Sequence, residues 1–320
     1  MSALASPAGL KGVLRPVDAA AALAAGFRAA GNEVRELPVA DGGTGTAEVL
    51  ALALGGEWHD TAVADPLGRP VTASWLLLPD GTAVVESAEA VGLALLGPDE
   101  LDPLRTSSRG LGELIVTALA ARPAALLVCL GDSATVDGGA GALELLDRFD
   151  LPVRVACDVR NPLLGERGAA RTFGPQKGAT AEQVEALEAR IAARIDLRPV
   201  AGLPGAGAAG GLGAALSSLG AELVEGGRLV LELVRFRQHA REAELVVTGE
   251  GTIDASTRDG KAPWAVLQAC AAADVRCAVF GGRVLEPLPD VELYELSGDP
   301  RRAREDLFEL GNRLAGELAR

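Results

Sequence analysis

The stretch "LVVTGEGTIDASTRDGK", Leu245–Lys261, decides how the rest of the chain is read. An aliphatic run, the pattern of a strand buried on both faces, leads up to Thr248 and ends there. Glycines, Glu250, Asp254, Asp259 and Lys261 crowd in behind it, and "APWAVL" then starts a helix. Three further stretches repeat the design: "VADGGTGT" (39–46), "LGDSATVDGG" (130–139) and "ACDVRNPLLG" (156–165). In open α/β sheets, ligands bind beyond the carboxyl ends of the strands. Glycines there let backbone amides approach a phosphate. Carboxylates there can hold Mg²⁺ together with water and phosphate, and a lysine offers a point charge to a transferring phosphoryl group. One Gly-Asp turn is ordinarily structural; the repeated combination points to phosphoryl transfer.

Between these loops the text alternates. "VDAAAALAAGFRAAG" reads as a helix closing on Gly31, and "EVRELPVADGG" as a short strand entering a glycine turn. From Thr61 to Val85, β-formers alternate with Pro-Leu-Gly and Pro-Asp-Gly turns, the sign of an antiparallel meander. "TSSRGLGELIVTALAA" opens on Thr and Ser caps and carries Leu111, Leu114, Ile115 and Leu119 on one helical face. "TAEQVEALEARIAARI" is an amphipathic helix with a Thr-x-x-Gln capping box. "VRVAC", "AELVVTGEG" and "VRCAVFGG" are further strands. Alternating β and α elements predict an α/β fold with a largely parallel sheet and an antiparallel portion.

The length of 320 residues suggests two domains, and 48% hydrophobic residues supply a large core. A balance of 44 acidic against 30 basic residues, net −14, argues against a nucleic-acid partner, which needs a basic footprint. An anionic substrate therefore requires a local cationic or amide-lined site. The four cysteines sit in apolar contexts and read as buried hydrophobes, and His59 and His239 have no metal-binding spacing. No apolar run approaches the ~18 residues of a membrane span, and the expected location is cytoplasmic. There is no Walker loop. "GAGAAGG" (205–211) fits G-x-G-x-x-G, but no convincing strand precedes it. It reads as a tight turn where segments pack closely, with contact to ATP or an anion as the next reading and a dinucleotide site after that.

The residues also match a family. "DPLGRPV" (65–71), "TSSRGLGELI" (106–115), "ACDVRNPLLGERGAARTFGPQKGA" (156–179), "GAGAAGGLG" and "GEGTIDASTRDGKAP" resemble the type I bacterial glycerate kinases, nearly end to end. The resemblance implies two α/β domains with a cleft between them, a flavodoxin/Rossmann-type domain and a second one inserted. We place the first at residues 1–50 and 236–320 and the inserted one, with the meander, at 51–235. It also implies ATP and Mg²⁺, with glycerate or a similar hydroxy acid as the small-molecule substrate; a homo-oligomer is left open. The chain departs from the family pattern at Ala8 and Gly9 (for the polar pair of "PDSFKGS"), Thr44 (for Glu in "ADGGEGT"), and Asp132 and Val136 (for Gly and Asn in "GGSATNDGG"). These departures motivate a rival, a divergent relative that binds but has weak or no catalysis.

The candidate roles follow. Asp158, Asp254 and Lys261 are the catalytic candidates: Asp158 as general base or metal-associated acid, Lys261 as the charge on the phosphates. Glu250 and Asp254 are candidate Mg²⁺ ligands, or else cap the following helix. Lys11, Asp41, Gly42, Gly43 and Lys177 are expected to hold the substrate, with a loop staple as the bland reading of Lys177. Ser133, Asp137, Gly138, Gly139 and Asn161 are expected to meet nucleotide phosphates. Arg69 and Glu86 are read as an alternative structural pair in the meander.

Overall fold

The computed structural model describes residues 2–288 and 291–318. In chain order the first elements are β1 (Ser2–Ala5), α1 (Pro16–Ala29), β2 (Glu33–Glu36) and α2 (Thr46–Leu54). The meander follows as β3 (Glu57–Ala64), β4 (Pro70–Leu77) and β5 (Thr82–Glu86), leading to α3 (Ser87–Val91) and α4 (Arg109–Ala120). Next come β6 (Ala125–Leu130), α5 (Ala140–Leu143), β7 (Val153–Cys157), α6 (Ala169–Phe173), α7 (Ala181–Ala192), α8 (Ala208–Ser218) and β8 (Glu222–Glu225). The last stretch holds α9 (Gly226–Leu233), α10 (Phe236–Arg241), β9 (Leu245–Ile253), α11 (Ala262–Ala273), β10 (Cys277–Val284), β11 (Glu292–Glu295) and α12 (Ala303–Leu318).

These elements fall into two compact units. One comprises residues 1–41, 48–53 and 227–320; the other comprises 42–47 and 54–226. The first unit is built on a five-stranded sheet of order β2-β1-β9-β10-β11, parallel throughout. That is the flavodoxin-like order, in which the strand sequence reverses between β1 and β9. Helices α1 and α12 cover one face, closing a core of Leu23, Phe27, Val247, Phe280, Leu307 and Leu314. They cross closely at two glycines: a Cβ on Gly26 would lie 2.1 Å from the Phe308 carbonyl oxygen, and one on Gly311 2.2 Å from that of Leu23. The outermost strands β2 and β11 are short and carry Glu33, Arg35, Glu292 and Glu295, which discourages pairing with another chain.

The second unit has a six-stranded sheet of order β3-β4-β5-β6-β7-β8. β3, β4 and β5 are antiparallel, as the turn residues predict, and β5 to β8 are parallel. The α/β class with one flavodoxin-like unit is therefore observed. The predicted Thr180–Gln183 capping box forms, and α7 buries Val184, Leu187 and Ile191.

Three expectations are corrected. β9 does not stop with the aliphatic run at Thr248 or with the predicted strand "AELVVTGEG" at Gly251; it continues to Ile253 because β10 runs alongside it in register as far as Val284. Pairing with a neighbour overrides the poor strand propensity of those glycines. At the start of α4, Ser108 makes no side-chain cap, because its hydroxyl is engaged by Asp137. Arg69 pairs with Asp65 and Glu100, not with Glu86. Glu86 instead accepts from the Gly45 and Ala47 amides at 3.1 and 2.6 Å. The glycines of "GAGAAGG" are a packed turn: a Cβ on Gly207 would lie 2.3 Å from the Pro162 oxygen, and one on Gly210 2.0 Å from that of Thr135.

Candidate active site

In the first unit, sequence-predicted residues gather where β9 ends. Glu250 lies near the end of the strand, and Lys261 is the residue from which α11 starts, with Pro263 in its first turn. The Lys261 ammonium donates to Glu250 Oε2 at 3.1 Å and stands 3.9 Å from Asp254 Oδ1. Thr257, fully buried, donates to Glu250 Oε1 at 2.9 Å while its hydroxyl oxygen accepts from the Asp254 amide at 3.1 Å. The short helical turn Ala255–Asp259 thereby ties both acids to one threonine. Burial raises the proton affinity of Glu250 above the ordinary value of 4.5; Lys261 and Thr257 oppose that rise, and the charge of Asp41 adds to it. The backbone of Lys11 abuts Gly251, 3.4 Å from where a Cβ would sit. Lys11, Asp41, Glu250, Asp254 and Lys261 thus share the carboxyl edge of one sheet.

The donor set fits a Mg²⁺ carried mainly by phosphate and water. Such ions usually take one or two protein carboxylates, and Glu250 and Asp254 supply two, bridged by a lysine that can turn toward phosphate. Among the described residues no group of three His, Cys, Asp or Glu side chains is placed to hold a metal unaided.

In the second unit the loops after β6 and β7 and the 42–47 segment hold the remaining candidates. Several are engaged in building the loops themselves. Both Asp137 oxygens point inward, accepting from the amides of Ser108, Gly139 and Gly141 and from the Ser108 hydroxyl at 2.8–3.1 Å. Gly138 and Gly139 have φ of 64° and 70°, which lets the chain turn back on that carboxylate. Asn161 donates to the Arg167 carbonyl and the Thr172 hydroxyl. Gly42 and Gly43 permit close backbone approach: a Cβ on Gly42 would meet Ala156 at 2.9 Å, and one on Gly131 would meet Gly43 at 2.5 Å. Lys177 is buried, with its ammonium donating to Ser133 Oγ at 3.0 Å and the Thr135 carbonyl at 2.9 Å. Burial pulls its pKa down to about 7 against the charges of Asp137 and Asp132. Asp158 is half-buried at the end of β7; burial, with the Asp158 charge adding to it, pushes the neighbouring Cys157 thiol up to about 12.

Two departures from the family pattern turn out to be linked. Thr44 Oγ1 donates to Asp132 Oδ2 at 2.8 Å. A carboxylate at 132 thus lies against position 44, where the family pattern has one. Val136 is fully buried in an apolar cluster with Leu163, Leu187 and Ile191, so apolar packing takes the place of an amide. Ala8 is buried and donates its amide to the Gly249 carbonyl, while a Cβ on Gly9 would press on Leu14 and Pro16 at 3.2 Å.

One regularity escaped the sequence reading. Of the 30 basic residues only Lys11, Lys177 and Lys261 are lysines, and all three are site candidates on other grounds. Thr257 was missed because a threonine in a polar turn carries no signal of its own.

Fold and charge placement define a class: α/β proteins whose lysines and carboxylates collect at the carboxyl ends of parallel strands. The model of the glycerate kinase family matches residues 3–148 and 144–297. A glycerate kinase from Bacillus subtilis (strain 168) is 39% identical, covering 89% of this chain and 85% of the relative. A glycerate 2-kinase from Escherichia coli (strain K12) is 38% identical, covering 82% and 80%. A crystal structure of a protein provisionally named glycerate kinase 2, from Salmonella typhimurium LT2, superposes with a TM-score of 0.85 at 32% identity, covering 100% of this chain and 98% of that one. The chain belongs to the glycerate kinase family.

Proposed function

We propose that this chain is an ATP-dependent kinase that phosphorylates a hydroxyl of glycerate. Named glycerate kinases at this identity over most of the chain support the reading, and the name of the Escherichia coli relative favours the 2-hydroxyl. The single structural observation that carries it is Lys261 poised between Glu250 and Asp254 at the start of α11. Bound Mg²⁺ would supply neutralisation of the phosphate charge. Lys261 would leave Glu250 to meet charge on the transferring phosphoryl group. Glu250 and Asp254 would hold the ion directly or through water, and Thr257 orients the Glu250 carboxylate while holding the Asp254 backbone amide. Asp158 would orient the acceptor hydroxyl; a loose phosphoryl-transfer transition state asks little more of a base. The Thr44–Asp132 contact weighs against a non-catalytic relative, because two of the departures keep a carboxylate beside position 44.

The test is ADP release from Mg-ATP and D-glycerate, with ³¹P NMR of the product. Formation of 2-phosphoglycerate is expected. A rate no higher than that of heat-denatured protein rejects the proposal, and 3-phosphoglycerate rejects the position.

A further inference from the structure

The first unit holds a cleft of about 300 Å³ along the carboxyl edge of its sheet, lined by the loops that follow β1 and β11, the ends of β9 and β10, and the first turn of α12. It opens where strand order reverses between β1 and β9, the place at which open α/β sheets take their ligands. Its volume is at the lower end of the range of about 300–1,000 Å³ typical of organic-ligand sites. Glycerate, a three-carbon acid, needs only on the order of 90 Å³, three times the share of one water. The wall is mostly apolar, with Leu10, Val13 and Leu296 suited to the face of a base.

The charge in the cleft is arranged for an anion. Arg283 is exposed, lies alongside Gly298 and forms no ion pair with a described carboxylate. The two acids in the lining are already engaged. Asp299 accepts from the Arg301 amide at 3.0 Å and pairs with its guanidinium at 2.8 Å, while Asp306 accepts from the Ser297 amide and hydroxyl. Gly251 and Thr252, which also line the cleft, directly follow Glu250 in the strand.

We infer that this cleft, not the Ser133–Gly139 loop, takes the adenine nucleotide, with the base and ribose between Leu10, Val13 and Leu296 and a phosphate on the Arg283 guanidinium. The inference rests on the kinase reading and deepens it. It also accounts for Asp137, Gly138 and Gly139, whose polar groups are folded onto one another rather than offered to a ligand.

Titration of the intact protein with a fluorescent ADP analogue, without glycerate, tests it. Arg283→Ala should weaken binding about tenfold. Val13→Trp, which fills the cleft from a position 38% exposed, should abolish it, both variants keeping the wild-type melting temperature within a few degrees. Wild-type affinity in Arg283→Ala and in a folded Val13→Trp overturns the placement, as does loss of binding on Ser133→Ala alone. If those results accompany a wild type that turns over glycerate and ATP, the placement fails while the kinase reading stands. A wild type that neither binds ADP nor turns over overturns both.

Discussion

Glu250 is largely shielded from solvent beside one ammonium, and its raised proton affinity has a sign that can be followed. Between the ordinary value of 4.5 and the folded one, the native state binds more protons than the unfolded chain, so stability falls as pH rises through that window. Glu250→Gln should therefore melt at or above wild type at pH 7, with the gap closing below pH 4.5, while turnover drops about 100-fold or more. Calorimetry across pH with a parallel ADP-release assay measures both. Lys177 runs the other way. Its native pKa of about 7 lies below the ordinary 10.5, so the unfolded chain holds more protons between those values and stability rises with pH there. Lys177→Met should flatten that rise. With three lysines in the chain, selective ¹³Cε-lysine labelling should show one signal titrating near pH 7. At this scale the gathering of Glu250, Asp254 and Lys261 was legible, because all three follow one apolar run within a short stretch. The direction of Asp137 was not legible: an acid in a glycine loop looks the same whether its oxygens face outward or, as here, inward.

Among the elements, the pairing of α1 with α12 joins opposite ends of the chain, and no local pattern announces it. What permits it is the pair Gly26 and Gly311, each with a carbonyl of the other helix about 2 Å from its absent Cβ. Gly311→Ala is expected to force the helices apart at a cost of about 1–3 kcal/mol, lowering the melting temperature by roughly 2–4 °C for each kcal/mol. Thermal denaturation followed by circular dichroism is the check, and an unchanged melting point would mean that the helices slide without penalty. The alternation of strand and helix was readable because its periods differ. The end of β9 was not, since only the neighbouring strand β10 makes "GEGTI" extended.

For the whole molecule, the division into units is not a simple cut. Residues 42–47 belong with the unit of residues 54–226, although 48–53 belong with the other. The Gly45 and Ala47 amides meet the buried Glu86 carboxylate, and Gly42 and Gly43 lie against Ala156 and Gly131. A fragment spanning 42–226 should therefore melt above one spanning 54–226. Losing donors to a buried acid costs on the order of 1–3 kcal/mol per group, and circular dichroism melts of the two fragments measure the difference. Sequence placed the meander and the parallel strands correctly but gave no sign of this returned loop, whose partners lie at residues 86, 131 and 156.

The choice of arginine over lysine has a practical consequence. Reagents that attack primary side-chain amines find almost the entire surface inert. Coupling this protein to a sensor chip or a dye through such groups would tether it at Lys11 or Lys261, since Lys177 is enclosed. Immobilised material would then look ligand-deaf for reasons of attachment alone. Conversely, protection of those two amines by a bound nucleotide would be readable by mass spectrometry against a nearly blank background.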